Sequence, residues 1–225
     1  MKTRSAARMR RLLAASLALV AISACSTLRP GATPPPSFYA LEGTPAAATP
    51  AVTTHPSATE HQPSAAAPTL IVNPTHAAAG FDSQRIIYMR EAHKLEYFAH
   101  NEWVDPPARM LAPLLVAALG NSGAFRAVVL TPSAAAADLR LDTEIVRLQH
   151  EFLTQPSRVR FTLRAYLVED KTRRVLAWRE FDAVVPAASD DPYAGVLAAN
   201  SAVQTVLSEL SAFCAEAARR APVEK

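Results

Sequence analysis

A cysteine near the amino terminus is the residue in this chain best placed for chemistry. Cys25 follows the small residues Ser23 and Ala24, which lie directly behind an apolar run from Leu12 to Ile22. This run of about eleven residues suits a signal-peptide core, whereas ~20 residues are needed to span a bilayer. After cleavage before the cysteine, its thiol can carry a diacylglyceryl group and its amine a further acyl chain such as palmitate. We therefore predict a lipidated cysteine at position 25.

The residues around Cys25 also favour a particular membrane. Five basic residues precede the apolar core, and residues 1–24 are predicted to be a lipoprotein signal peptide. A plain secretory signal with an incidental cysteine is the weaker alternative. In bacterial lipoproteins an aspartate after the cysteine favours retention in the inner membrane, and this chain has Ser26 there. We expect an anchor in the outer membrane of a Gram-negative bacterium, with the protein facing the periplasm.

The positive charge of the chain resides in that first segment. The full sequence has 23 Lys+Arg and 20 Asp+Glu, and the five basic residues of the signal leave 18 basic side chains in the mature protein. The mature chain is then slightly acidic, which gives no support for nucleic-acid binding. With Cys25 acylated, Cys214 has no partner for an intramolecular disulfide, so stability must come from a hydrophobic core.

The motifs that would indicate an enzyme or a cofactor site are missing from the sequence. It contains no Gly-x-Ser-x-Gly elbow, no phosphate-binding glycine loop and no dinucleotide fingerprint. His93 and His100 have acidic neighbours, but their spacing does not fit a metal site, and in a strand they would point to opposite faces. We predict no catalytic residue, no metal, no cofactor and no bound ATP.

Composition divides the mature chain into a tether and one folded domain. Residues 25–37 are predicted to form a proline-rich lipid tether. Phe38-Tyr39-Ala40-Leu41 is either an incidental apolar patch or a first strand of the domain. The Ala/Pro-rich remainder of 38–69 is predicted to be disordered, as an insertion in a hairpin loop if that strand exists. The domain then covers residues 70–218, and 219–225 form a flexible tail.

The first half of the domain is predicted to contain three strands and a helix. Leu70 to Val72 and Arg85 to Arg90 are strand-like, and Leu95, Tyr97 and Ala99 alternate with polar neighbours in a third strand from His93 to His100. A helix follows, with Asp105 as its cap, Pro106 at its first position and Gly120-Asn121 at its end. Pro113 lies inside it and predicts either a kink or a later start.

The second half of the domain is predicted to contain four strands and a final helix. The predicted strands are Phe125–Leu130, Leu139–Phe152, Arg158–Leu167 and Val175–Val185. The apolar phase slips after Ile145, which predicts a bulge near Ile145-Val146. Asp191 is expected to cap the last helix, and Cys214 lies on its apolar stripe. The fold class is therefore α+β: a twisted, mainly antiparallel sheet with two helices packed on one face.

Two surface features allow two interpretations each. Arginines at 158, 160 and 164, with those at 173, 174 and 179 across the turn, form either a solvated face with acidic partners or a docking surface. Trp103 is either a lid over the helix start or an exposed interface anchor.

Several short segments together resemble the ABC-type transport auxiliary lipoprotein family. They are Phe38 to Leu41, Leu70-Ile71-Val72 before Pro74, Phe81 to Tyr88, and Trp103 shortly before an apolar helix. The resemblance implies a non-enzymatic, outer-membrane lipoprotein. Its partners would be an inner-membrane ABC transporter and a periplasm-spanning MCE-domain protein that move lipids or other hydrophobic molecules.

Within that resemblance, Arg85, Tyr88 and Trp103 are the candidate partner-binding residues. The competing class is a structural or assembly lipoprotein, such as a pilotin of an outer-membrane complex, which would share the anchor, the size and the missing catalytic motifs.

Overall fold

The computed structural model describes residues 35–43 and 67–220. They form nine strands and two helices. The strands are β1 (Ser37–Tyr39), β2 (Thr69–Val72), β3 (His76–Ala77), β4 (Arg85–Glu91), β5 (Lys94–Trp103), β6 (Ala127–Leu130), β7 (Leu139–Glu151), β8 (Arg158–Glu169) and β9 (Val175–Pro186). The helices are α1 (Pro107–Gly120) and α2 (Pro192–Arg220). The predicted α+β class is confirmed.

Strand β7 is the centre of the sheet. One edge pairs antiparallel with β8 from Leu139↔Glu169 to Glu151↔Arg158, and β9 continues that meander. The other edge is shared by β2, β3 and β4, which all run parallel to β7. Strand β6 adds beside β2, and β5 and then β1 add beside β4. The long pairs are antiparallel, as predicted, and the short parallel pairs make the sheet mixed.

The predicted irregularity in β7 is present. The pairing of β7 with β8 shifts register between Ile145 and Arg147. Before the shift Leu141 and Ile145 face the core, and after it Leu148 does. One inserted residue therefore keeps the apolar side chains on one face although their spacing in the sequence changes.

Both helices share one hydrophobic core with the sheet. Helix α1 packs on β2 and β6, whereas α2 packs on β8 and β9, and the two helices contact each other. Leu111, Leu115 and Phe161 are fully or almost fully buried in this core. Cys214 is buried as well, and burial raises the pKa of its thiol to about 12. It is an inert core residue, as its place on the helix stripe predicted.

The two helices begin differently. At α2 the predicted cap is confirmed, because Asp191 Oδ1 accepts a hydrogen bond from the Ala194 backbone N–H at 3.0 Å. At α1 the prediction is wrong: Pro106 takes the cap position, and Asp105 forms an ion pair with Arg109 at 3.0 Å. A proline disfavours the helical conformation in the residue before it, so Pro107 keeps Pro106 out of the helix.

Helix α1 runs continuously through Pro113, so the late start is wrong and the kink, the other alternative, stays a prediction. Two further expectations need correction. Strand β1 pairs in parallel with β5, so it does not form a hairpin across the Ala/Pro-rich tract. Strand β5 is confirmed, but Leu95 and Tyr97 are 46% and 51% exposed, so its apolar alternation does not point into the core.

Other expectations lie outside the described residues. These are the signal peptide (1–24), the lipidated Cys25 with most of the tether, the Ala/Pro-rich tract from 44 to 66, and the last residues of the tail from 221. They stay predictions.

The close contact between α2 and β7 gives a stability test. A Cβ added at Gly195 would lie 2.5 Å from His150 Nδ1, whereas one added at Gly120, in α1, would meet nothing within 4 Å. Overpacking costs ~1–3 kcal/mol and replacing a helical glycine by alanine returns up to ~1 kcal/mol. Gly195→Ala should therefore lower the free energy of unfolding by about 1 kcal/mol in urea titrations, and Gly120→Ala should not lower it. Equal stability of the two variants would contradict this packing.

Candidate partner-binding surface

Strands β4 and β5 form a hairpin that carries all three predicted partner-binding residues: Arg85 and Tyr88 in β4, and Trp103 at the end of β5. Glu91 pairs with Lys94, so only Ala92 and His93 form the turn, and His93 has a φ of 68°. The positive φ at the turn fits a two-residue hairpin connection. Because neighbouring residues of a strand point to opposite faces, Tyr97 and Phe98 bring aromatic rings to both faces of the hairpin.

An arginine lies over an exposed aromatic ring on one face. The guanidinium carbon of Arg85 is 4.0 Å from the centroid of the Tyr97 ring, and both side chains are exposed. Leu95 lies two residues before Tyr97 and is 46% exposed. Arginine and tyrosine are enriched at the centres of protein interfaces, and the stacking holds the arginine side chain in place before a partner binds. A protein that binds this face would therefore restrict the Arg85 side chain little further, with little loss of conformational entropy.

An aromatic cluster fills the other face, around the predicted residue Tyr88. Its ring centroid lies 4.5 Å from that of Phe98 and 5.9 Å from that of Phe152. Arg90 covers the cluster from the solvent side, with its guanidinium carbon 4.9 Å from the Tyr88 centroid. Tyr88 is only half-buried and also pairs with His150 of β7. It therefore joins the exposed hairpin to the centre of the sheet.

Trp103, the third predicted residue, lies in the core. It is 3% exposed and belongs to the same buried cluster as the sheet and the helices. Its backbone N–H bonds to the carbonyl of Gln84, at the start of the hairpin. Of the two interpretations of Trp103, the structure favours the lid, and a buried indole has no surface to offer a partner.

His150 lies beneath the aromatic cluster, and the sequence analysis did not single it out. It is 2% exposed, its ring is 4.2 Å from that of Phe152, and its Nε2 lies 2.9 Å from Ser157 Oγ. Its Nδ1 is buried without a hydrogen-bond partner in the described part of the chain and faces Gly195 of α2. Burial lowers the pKa of His150, and the nearby carboxylates of Asp190 and Asp191 offset part of that effect.

The pair His150–Ser157 does not have the arrangement of a catalytic dyad. A nucleophilic serine must reach a substrate, and Ser157 is 1% exposed. The second ring nitrogen faces a glycine where a catalytic histidine would face an orienting acid. The pair is a buried structural contact between β7 and the loop before β8.

The arginines of β8 lie on a face balanced by acidic residues. Arg164 bridges Glu144 and Glu180 at 3.1 and 2.8 Å, and Arg160 bridges Glu151 and Asp182 at 3.2 and 2.8 Å. Arg158, Arg173 and Arg174 have acidic partners as well, so for these five arginines the solvated face is borne out. For Arg179 the expectation is wrong, because its guanidinium group lies over the Phe213 ring. Trp178 is stacked near Tyr166 on this face and is 62% exposed, and no sequence motif marks it.

Residues 35–43 and 67–220 contain no cluster of histidine, cysteine and acidic side chains able to hold a metal ion. Within the same residues, neither helix combines the length and the apolar character needed to cross a bilayer.

The burial of His150 predicts a pH dependence of stability. In the unfolded chain its imidazole takes up a proton near pH 6.5, but in the folded protein the lowered pKa keeps it neutral down to a lower pH. Stability should therefore fall as the pH drops below about 6.5, because only the unfolded state gains the proton.

His150→Gln should flatten this slope in urea titrations between about pH 7.5 and 5.5. The matched control is His100→Gln, at an exposed position of β5, which should keep the slope of the wild type. An unchanged slope in His150→Gln would contradict the account.

The fold is similar to those of solved structures of other proteins. Protein XCC0632 from Xanthomonas campestris, of the DUF330 family, is 25% identical, with a TM-score of 0.63 over 71% of this chain and 92% of that one. A second solved structure, of an uncharacterized protein, is 15% identical, with a TM-score of 0.53 over 66% of this chain and 90% of that one. It is similar in fold alone. No curated protein sequence gives a significant match.

The model of one protein family matches most of the chain. It describes the ABC-type transport auxiliary lipoprotein component and matches residues 50–211. This range includes strands β2 to β9, helix α1 and most of α2. The resemblance seen in the short segments from Leu70 onward thus extends over the domain. The chain belongs to the ABC-type transport auxiliary lipoprotein family.

Proposed function

We propose that this protein is a non-enzymatic auxiliary subunit of an ABC/MCE-type intermembrane transport system, anchored in the outer membrane through lipidated Cys25. The family match over residues 50–211 is the observation that carries the proposal. The system would move lipids or other hydrophobic solutes. This subunit has no phosphate-binding loop in its sequence, so the inner-membrane transporter would supply the ATP hydrolysis.

The β4–β5 hairpin is the proposed contact for the MCE-domain partner. Arg85 and Tyr97 give it an exposed cation–π pair, and Tyr88 with Arg90 gives it a second one on the opposite face. The ion-paired face of β8 is a weaker choice because its arginines already have carboxylate partners. A lipid anchor with a proline-rich tether would keep the domain near its partner at a high effective concentration.

The hairpin contact is tested by affinity capture from membranes. Arg85→Ala combined with Tyr97→Ala removes two exposed side chains and should weaken recovery of the MCE-domain protein at least ~10-fold, as loss of an interface hot spot does. The melting temperature should stay within a few degrees. Trp103→Ala is not used, because removing a buried tryptophan side chain costs ~3–5 kcal/mol of stability.

Arg109→Ala, an exposed arginine on α1, is the matched control and should leave capture unchanged. Tyr88→Ala tests the second face, with its melting temperature measured in parallel. Full recovery of the partner by the double variant would contradict the hairpin contact. Recovery of an outer-membrane secretin by the wild-type protein would instead support the competing class of structural or assembly lipoproteins.

The anchor is tested by membrane fractionation. Cys25→Ser removes the thiol that would be acylated, so the protein should leave the outer-membrane fraction. Ser26→Asp keeps the thiol and should move the protein toward the inner membrane. An outer-membrane location for Cys25→Ser would contradict lipid anchoring at this residue.

A further inference from the structure

A groove between the start of β9 and the end of α2 lies apart from the hairpin. Its volume is about 320 Å³, within the range of small ligand sites, and Arg174, Val175, Arg179, Phe213 and Arg220 are among the residues that line it. A larger groove of about 580 Å³ separates the outer sides of α1 and α2, but no charged side chain lines it. Of these two grooves, the smaller has charged side chains that can select a ligand by its charge.

The floor of the groove is apolar. Leu176 and Ala177 come from β9 and Ala217 from α2, all half-buried, and Phe213 is buried beneath them. Val175 lies at the opening and is 51% exposed. None of these side chains can form a hydrogen bond. An alkyl chain would lose no polar contacts here, whereas a peptide would bring backbone groups that the floor side chains cannot satisfy.

The rim of the groove is positively charged. Three of its lining residues are arginines and one, Glu216, is acidic. Glu216 forms an ion pair with Arg220, and Arg174 lies 3.6 Å from Glu169 outside the groove. Arg174 and Arg220 thus have one carboxylate neighbour each, whereas on the face of β8 Arg160 and Arg164 each bridge two carboxylates.

Arg179 is the arginine held most firmly in this rim. Its guanidinium carbon lies 4.8 Å from the centroid of the Phe213 ring and 5.8 Å from that of Phe181. Among residues 35–43 and 67–220, no carboxylate lies within ion-pair distance of it. Stacking on Phe213 restrains the guanidinium group and leaves its N–H donors available for an anion.

We propose that this groove binds an amphiphile with a phosphate head and a single alkyl chain. The phosphate would bind Arg174, Arg179 and Arg220, and the chain would cover Leu176, Ala177 and Phe213. Three guanidinium groups offer more donors than the two oxygens of a carboxylate accept, and they match the three terminal oxygens and the higher charge of a phosphate monoester. This binding needs no MCE-domain partner, so its test is independent of the test of the proposed function.

Calorimetric titration with dodecyl phosphate, below its micelle concentration, tests the site directly. The full chain is used with Cys25→Ser, so that no acyl chain of its own can compete. Dodecyl phosphate should bind with one site per chain. Inorganic phosphate, which lacks the chain, and dodecyl maltoside, which lacks the charge, should each bind at least ~10-fold more weakly.

Arg174→Glu combined with Arg220→Glu reverses two exposed charges at the rim and should lower the affinity at least ~10-fold. Arg109→Glu on α1 is the matched control and should bind like the parent chain. Ala217→Trp fills the floor and gives a second, uncharged test of the same groove.

Three results would overturn the proposal: no binding of dodecyl phosphate, equal binding of inorganic phosphate or dodecyl maltoside, or unchanged affinity in both the double-arginine and the Ala217→Trp variants. Capture of the MCE-domain partner by the same variants should remain intact, since the hairpin is not altered.

Discussion

The pairing of both edges of β7 is the constraint on which the domain depends. Its edge toward β8 is used along its whole length, and the opposite edge is divided among β2, β3 and β4. Every other strand joins the sheet through one of these partners. Because buried backbone groups must be hydrogen-bonded, the strands on both sides of β7 depend on it for pairing. The shift between Ile145 and Arg147 lets that strand keep one apolar face throughout.

The division of that edge also explains the exposed hairpin. Strand β4 pairs with β7 only at Tyr88 and Met89, and β5 pairs with β4 and the short β1. Much of the hairpin is therefore free of the core and can carry Arg85, Tyr97 and Leu95 at the surface. Tyr88 sits where the hairpin meets β7, above the buried His150. A partner that binds the hairpin would thus contact an element fixed directly to the centre of the sheet.

Sequence periodicity predicted the elements well where a strand has one apolar and one polar face, as in β8, and where a cap and proline begin a helix, as at Asp191-Pro192. It could not predict the parallel pairs of β2, β3 and β4, because the pairing of distant strands leaves no local pattern. At β5 it detected the alternation of Leu95 and Tyr97, but not that this apolar side faces solvent. Asp105 has the side chain of a helix cap, but Pro107 moves the cap position to Pro106. The resemblance selected Arg85, Tyr88 and Trp103 as candidate partner-binding residues. The fold buries Trp103 and places Tyr97, Arg90 and Phe152 beside the other two.

The central claim is that the hairpin surface binds an MCE-domain partner, and site-specific photo-crosslinking in living cells tests it most directly. A photoreactive phenylalanine at Tyr97 reports on the hairpin, and one at Trp178 reports on the competing exposed face of β8 and β9. We expect a covalent adduct with an MCE-domain protein from position 97 and none from position 178. An adduct from position 178 alone, or an adduct of position 97 with a secretin, would contradict the account.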